Sequence, residues 1–157
     1  DISCGGFDEN ILKVVAKNNA GYIGMYLTGG MDSMHKVEPR EDIIATLISY
    51  FEAKKKLLSK YGIEHWVIDP GFGFGKTVEE NFTIVKKMNE LKKGGLPILL
   101  GASRKSSLYK TLGIESKDAL NATTIVNTVG LLKGAAIVRV HDVKEAAEIV
   151  KLLPYLQ

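Results

Sequence analysis

Short apolar runs alternate with helical patterns along this chain, and that alternation constrains the fold more than any other feature. Continuous apolar runs are typical of strands buried on both faces, and helices between such strands connect them in parallel. Strands are predicted near 22–27, 66–68, 97–100 and 135–140, with the tail of another ending near residue 3. Helices are predicted over 9–18, 40–61, 78–93, 105–112, 117–133 and 143–153. The sequence therefore predicts an α/β fold with a parallel sheet.

The pattern amounts to about five βα units, of which the first lacks most of its strand. A complete (βα)₈ barrel needs roughly 200 residues or more, and this chain has 157. The chain begins at Asp1 without a methionine, and its first residues read as the end of a strand. We expect one domain over 1–157 that is the carboxyl-terminal part of a barrel; a compact open sheet is the alternative. Unpaired strand edges would make such a part prone to association.

Bulk properties exclude several classes of partner. The net charge of +3 is small and no Lys/Arg-rich run stands out, so no nucleic-acid partner is expected. The chain has no apolar run of about 18 residues and no signal-peptide pattern, so no membrane association is expected. Its single cysteine, Cys4, cannot form an internal disulfide and fits a reducing, cytoplasmic location.

The first motif, DPGFGFGKT over 69–77, follows the apolar run WVI. Its alternating glycines permit tight turns, while Phe72 and Phe74 can wall an apolar pocket. Asp69 suits a ligand edge with two adjacent N–H donors, although it can also be read as a helix-capping residue. A Walker A loop is excluded because Gly71 and Gly75 enclose three residues where that loop needs four.

The second motif, GASRKS over 101–106, opens a helix directly after a strand. Ser103, Arg104, Lys105 and Ser106 place two cations at that helix start, which favours an anion site. Lys105 can also donate to a ring carbonyl or nitrogen of a heterocycle. The alternative is a serine-capped surface helix whose cations are solvated.

The third motif, RVHDV over 139–143, places Arg139 and His141 on one side of the last strand and its exit. Arginine can bind phosphate through two N–H groups or stack on a flat ring, and histidine can donate to phosphate oxygens. His35 and His65 lack such company and are read as structural or surface residues. No zinc-spaced Cys/His cluster or nucleophile elbow is present. Together the motifs indicate a small, polar, phosphorylated ligand and charge-assisted transfer at an anionic leaving group.

Helix starts carry their own signals. Thr77 with Glu80 resembles a capping box. Asp8, Ser116 and Asp142 are predicted to cap the first, fifth and last helices.

The three motifs in this order resemble dihydropteroate synthase, the folate-pathway (βα)₈ barrel, from Asp1 to the end of the chain. The resemblance matches the last five of eight units, so the family's first three strands are missing. The family condenses 6-hydroxymethyl-7,8-dihydropterin diphosphate with p-aminobenzoate, giving 7,8-dihydropteroate and pyrophosphate. The resemblance further implies a cytoplasmic homodimer, Mg²⁺ as cofactor with its protein ligand upstream, and sulfonamides as mimics of p-aminobenzoate.

Carried over by position, the resemblance gives each motif residue a role in pterin, diphosphate or p-aminobenzoate binding. Asp69 would hold the aminopyrimidine edge of the pterin, Lys105 would donate to its ring, and Gly101 would allow close approach. Arg139 would flank the pterin face and, together with His141, hold the diphosphate. Met25 and Ile2 would pack on the pterin. Ser106 would receive the p-aminobenzoate carboxylate, in a pocket lined by Phe74. Ser103 and Arg104 would complete the substrate contacts at the anion site.

Two departures from the family pattern matter. Met25-Tyr26 stands where the family usually reads Met-His. The absent upstream strands carry the mobile loops, the magnesium-binding Asn and a second pterin-binding Asp, so we expect this chain alone to be inactive. The rival readings are the pterin-binding domain of a corrinoid-dependent methyltransferase, against which SRKS argues, and a non-catalytic half-barrel module.

Overall fold

The computed structural model describes residues 1–27 and 29–156. Four short parallel strands lie side by side in chain order: β1 Tyr22–Met25, β2 Trp66–Asp69, β3 Leu99–Leu100 and β4 Ile137–Val138. β1 pairs with β2 and β3 with β4. A parallel bridge between Ile68 and Ile98 joins the two pairs into one succession. The predicted parallel arrangement is therefore confirmed, with strands shorter than their apolar runs.

The first residues bond the outer edge of β1 without forming a strand. The amino terminus of Asp1 donates to the carbonyl of Ile23 at 2.8 Å, and the Met25 amide donates to the Asp1 carbonyl at 2.9 Å. Both oxygens of the Asp1 carboxylate then accept hydrogen bonds from the turn that follows, including one from the Gly5 amide at 2.7 Å. Strand-like pairing is thus limited to Asp1, whereas the tail of a strand was predicted to end near residue 3.

Seven helices and four 3₁₀ turns accompany the strands within the described residues, with the first helix before β1 and the last after β4. The helices are α1 Asn10–Lys17, α2 Ile43–Ser59, α3 Val78–Lys86, α4 Met88–Leu91, α5 Ser106–Leu112, α6 Leu120–Leu132 and α7 Val143–Leu152. The 3₁₀ turns are Met31–Ser33, Lys92–Gly94, Ser116–Asp118 and Leu153–Tyr155. The single helix predicted over 78–93 is interrupted at Lys87, after which Met88 and Leu91 enter the core. None of these helices is long and apolar enough to cross a membrane.

One core lies between the strands and the helices. Apolar side chains from successive units fill it, among them Leu12, Leu47, Leu58, Ile84 and Leu100, all of which are fully buried. Trp66 and Ile68 point from β2 into this core. Because side chains alternate along a strand, Val67 and Asp69 point to the opposite face.

That opposite face carries the site. The register sets Met25 beside Asp69 at the ends of β1 and β2. It also sets Leu99 beside Ile137, so that the residues two further along, Gly101 and Arg139, emerge on the same side.

Helix capping follows the sequence signals in part. Thr77 and Glu80 form the predicted capping box. Ser116 does not cap α6, because it begins a 3₁₀ turn and its hydroxyl donates to the Arg104 carbonyl at 3.2 Å. Asp142 occupies the N-cap position of α7, but its carboxylate bonds the Arg104 guanidinium instead of the helix. Asp8 bonds the Asn10 amide from one residue before the α1 cap.

Candidate active site

Asp69 is a buried carboxylate at the carboxyl end of β2. Its side chain is 6% exposed, and its Oδ1 accepts a hydrogen bond from the Gly71 amide at 2.7 Å. Burial raises the pKa of Asp69, opposed by that hydrogen bond and by the charges of Lys105 and Arg139. A carboxylate can accept several hydrogen bonds, so N–H donors of a ligand can bind to Asp69 beside the Gly71 amide.

Lys105 packs against the glycine-rich loop, which we define as residues 71–75. It stands at the N-cap position of α5, and its ammonium donates to the Phe72 carbonyl and lies 4.2 Å from the centre of the Phe74 ring. A Cβ at Gly73 would come within 2.6 Å of the Lys105 side chain, so glycine is required there for the two to pack. Burial lowers the pKa of Lys105 to about 8, with Asp69 acting in the opposite direction.

A cavity of about 290 Å³ lies between the loops that follow β3 and β4. Its lining combines glycine, hydroxyl and cationic groups: Gly101, Ser103, Arg104, Lys105, Ser116, Arg139 and His141. Arg139 and His141 are exposed to it, and Lys105 and Arg104 are partly exposed. Cations that converge on a hydroxyl-lined cavity at strand ends can bind an anion such as a phosphate. The second and third sequence motifs are thus brought together here, as predicted.

Ser103 fixes the imidazole of His141. The Ser103 hydroxyl lies 2.9 Å from Nδ1 of His141 and also accepts from the His141 backbone amide at 3.2 Å. Ser103 is buried, whereas His141 is exposed. The contact orients the ring through Nδ1 and leaves Nε2 at its outer edge, where it can meet a ligand oxygen.

Arg104 lines the cavity but is held by protein groups. Its guanidinium binds the Asp142 carboxylate through two contacts, at 2.9 and 2.6 Å, and donates to the Lys117 carbonyl at 2.6 Å. Its backbone has φ +53°, a left-handed conformation, with its amide bonded to the hydroxyl of Thr123 at 3.0 Å. The hydrogen bond from Arg104 lowers the pKa of Asp142. Arg104 therefore joins two loops, a contact that its role as a predicted anion ligand did not include.

The other predicted substrate contacts fall into two groups. Met25 is buried next to Asp69, and Ser106 is the partly exposed first residue of α5. Phe74 is partly exposed and stacks on His35, which was read from the sequence as a structural or surface residue, with 5.8 Å between ring centres. Ile2, by contrast, is 41% exposed and lines a shallow pocket with Phe7 and Ile11. The described lining of that pocket includes no other predicted site residue.

Sequence reasoning missed the residues that support the glycine-rich loop. The buried Asn81 accepts from the Gly73 amide at 2.7 Å and donates to the hydroxyl of Ser107 at 3.0 Å. Arg40 donates to the Gly75 carbonyl at 2.6 Å and pairs with Glu80 at 3.4 Å. Lys76, inside the first motif, is only 5% exposed. The only sequence signal for Asn81 was its position on the side of α3 that faces the core. No sequence pattern indicated that Arg40 would bind the loop.

A carboxylate and a cationic cavity at the carboxyl ends of successive parallel strands define a small-molecule enzyme site of the βα-barrel class. Residues 1–141 match the model of the family described as pterin binding enzyme. The chain belongs to this pterin-binding enzyme family. It is 37% identical over 155 residues to a dihydropteroate synthase from Synechocystis sp., covering 97% of this chain and 54% of that protein.

Solved structures agree with the family. A dihydropteroate synthase from Clostridium difficile, solved in the presence of pteroic acid, superposes with a TM-score of 0.90 at 32% identity, covering 99% of this chain and 58% of that one. The enzyme from Thermus thermophilus in complex with 6HMPPP gives a TM-score of 0.91 at 26% identity, covering 99% and 62%. The same enzyme has been solved in complex with 4-aminobenzoate, with a TM-score of 0.86 at 25% identity, covering 98% and 61%. The predicted fold class, a partial barrel with parallel strands, is confirmed, and the chain spans about half the length of the curated relatives it matches.

Proposed function

We propose that this chain supplies the carboxyl-terminal half of a dihydropteroate synthase, which joins 6-hydroxymethyl-7,8-dihydropterin diphosphate to p-aminobenzoate and releases pyrophosphate. One observation carries the proposal: the buried carboxylate of Asp69 lies within electrostatic reach of the cations that line the cavity, Lys105 and Arg139. A ligand with an N–H-rich ring at one end and a diphosphate at the other satisfies both. Relatives solved with pteroic acid and with 6HMPPP support this pairing.

The pterin end would bind at Asp69. Two adjacent N–H groups of an aminopyrimidine ring match the two oxygens of a carboxylate, and burial makes each such bond count for more. Lys105 would donate to a ring acceptor from across the site, while Met25 offers the apolar surface beside Asp69. Bound donors of this kind would lower the pKa of Asp69 from its raised value.

The diphosphate would bind in the cationic cavity. Arg139 supplies a planar pair of N–H donors, and His141, oriented by Ser103, supplies one more from Nε2. Charge develops on the leaving pyrophosphate as the bond to the pterin methylene breaks, so preformed donors there stabilise the transition state more than the ground state. The attacking group is a neutral aromatic amine, whose nitrogen bonds the methylene and then loses one proton to water or to the departing pyrophosphate. The residues of this site therefore need supply no strong base.

The p-aminobenzoate end would lie along Phe74 and Ser106, with the carboxylate at the Ser106 hydroxyl. Arg104 is assigned a positioning role because its guanidinium is taken up by Asp142. Ile2 stays a prediction from the resemblance alone.

Among the described residues, no group of three or more His, Cys, Asp or Glu side chains could hold a metal ion. Mg²⁺ stays an expectation from the resemblance, and no step of the proposed reaction depends on it. The homodimer, the cytoplasmic location, the sulfonamide target, the single-domain organisation over 1–157 and the inactivity of this chain alone are likewise proposals. Turnover by the purified 157-residue chain would contradict the last of them.

Calorimetric titration with the dihydropterin methyl diphosphate tests the proposed function. We expect binding by the chain, at least about tenfold weaker binding by Asp69→Asn, and no change for Asp8→Asn, an exposed acid at which asparagine can still bond the Asn10 amide. Equal affinity of Asp69→Asn would refute the pterin role and favour the non-catalytic module. Binding of methyltetrahydrofolate without binding of pyrophosphate would favour the methyltransferase. Failure to bind by a chain that circular dichroism shows to be folded would contradict site formation by these units alone.

A further inference from the structure

Lys76 holds the glycine-rich loop from beneath. Its ammonium donates to the carbonyl of Gly71 at 2.8 Å and to the carbonyl of Phe74 at 3.1 Å. With 5% of its surface exposed, this lysine is among the buried charged residues of the chain. A buried cationic side chain is costly, so bonds to both ends of one short loop indicate a specific task.

The ammonium of Lys76 packs on the ring of Tyr26. The ammonium lies 4.7 Å from the centre of the Tyr26 ring, a cation–π distance. Tyr26 is itself fixed, because its amide donates to the Asp69 carbonyl at 2.8 Å and its ring meets Tyr50 edge-on at 4.9 Å. A Cβ on Gly71 would lie 2.3 Å from the Tyr26 carbonyl, so glycine is needed for the loop to pack against Tyr26.

The two carbonyls that Lys76 binds belong to residues with a direct bearing on the ligand. The Gly71 amide donates to Oδ1 of Asp69, so a shift of Gly71 moves the hydrogen bond that orients the carboxylate. Phe74 carries the ring that packs on Lys105. One ammonium therefore sets the separation between the Asp69 end of the loop and its Phe74 end.

We propose that Lys76 is a positioning residue, which clamps the carbonyls of Gly71 and Phe74 and thereby holds the pterin-binding carboxylate and the p-aminobenzoate-facing ring at a fixed distance. This inference rests on the proposed function for the identity of the two ligand parts. The clamp itself is a property of the free chain.

Charged groups from every side determine how Lys76 titrates. Burial and the neighbouring Arg40 and Lys105 lower the pKa of Lys76 to about 7, against the opposing effects of Asp69 and Glu80. If the loop opens, Lys76 regains water and its ordinary pKa near 10.5. The closed loop then binds fewer protons than the open one between these two values, so closure becomes more favourable as pH rises through about 7. The neutral amine keeps two N–H groups, one for each carbonyl, so the clamp persists at pH 8.

Amide hydrogen exchange tests the clamp without any ligand. We expect residues 71–75 of Lys76→Met to exchange about tenfold faster at pH 8 than in the wild type, after correction for intrinsic rates, because a buried carbonyl loses its donor. The matched control Lys86→Met removes an exposed lysine of α3 and should leave the loop unchanged. In the wild type, protection of the loop relative to α6 should rise between pH 6 and pH 8. Equal exchange in a folded Lys76→Met chain overturns the clamp. If Lys76→Met does not fold, exchange of the wild-type Gly71 amide at its intrinsic rate overturns it, because a clamped loop protects that amide in its bond to Asp69.

Titration with the dihydropterin methyl diphosphate then tests positioning. Lys76→Met should bind about tenfold more weakly at pH 8, and Lys86→Met as tightly as the wild type. A loop that exchanges faster while affinity is unchanged would show a purely structural lysine and overturn the inference. A wild-type chain that fails to bind contradicts the proposed function instead, and the exchange experiment still decides on the clamp.

Discussion

The guanidinium of Arg139 lies directly over Gly101, where an added Cβ would come within 2.8 Å of Nη2. The two residues leave adjacent strands on the same face, and the absence of a side chain at 101 leaves space for the arginine. Gly101 therefore shapes the cationic cavity from within the protein, besides allowing the close approach of a ligand that the resemblance implied.

Gly101→Ala should displace Arg139 and weaken pyrophosphate binding by about tenfold. Folding should be nearly unaffected, since the displaced atom is the tip of a flexible side chain. Isothermal titration with pyrophosphate and a thermal melt measure the two effects. Gly21→Ala is the matched control, because no atom lies within 4 Å of its added Cβ. Wild-type affinity in Gly101→Ala would show that Arg139 does not bind the anion.

Ser103→Ala should free the ring of His141 and weaken pyrophosphate binding several-fold, because the imidazole loses the contact at Nδ1. Nitrogen chemical shifts of the His141 ring would report the loss of this bond directly. Ser59→Ala, which removes an exposed hydroxyl bonded to Glu64, should change neither readout. An unchanged ring spectrum in Ser103→Ala would contradict the assigned orientation.

Thr77→Ala should lower the free energy of unfolding by about 1 kcal/mol, because the capping box of α3 loses its acceptor for the Glu80 amide. Urea unfolding measures this change. The same substitution at Thr83 inside α3 should stay within about 0.5 kcal/mol of the wild type. An equal loss at both positions would mean that the cap does not stabilise the helix.

The free energy of unfolding should rise with pH between about 7 and 9. Lys76 and Lys105 have pKa values lowered to about 7 and about 8, against 10.5 when unfolded, so the unfolded chain binds more protons in this window. Urea unfolding at several pH values measures the slope, which should flatten in the double variant Lys76→Met, Lys105→Met. A free energy of unfolding that does not rise between pH 7 and 9 in the wild type would contradict the lowered pKa values of the two lysines.

The sequence was sufficient to predict the parallel arrangement and the grouping of Asp69, Lys105 and Arg139. Each follows an apolar run, and parallel strands bring their carboxyl ends to one edge. The ion pair between Arg104 and Asp142 could not be predicted from the sequence, because the two residues are 38 positions apart. Each also has a plausible local role: Arg104 as an anion ligand and Asp142 as a helix cap.

The support of the glycine-rich loop was also hidden. Lys76 was weighed only as part of a phosphate loop that fails by residue count, and its bonds to backbone carbonyls leave no mark in the sequence. Tyr26 stood out as a departure from the family, but its ring position against Lys76 depends on tertiary packing.

The loops after β3 and β4 are joined by two side-chain contacts, Ser103 with His141 and Arg104 with Asp142, beside the place where Arg139 lies over Gly101. These side-chain contacts continue the pairing of β3 and β4 beyond the ends of the two strands. Neither loop can swing outward alone without breaking them. A phosphate group must then enter a cavity whose two flanking loops can move only together. Any opening and closing of the site is therefore left to other segments.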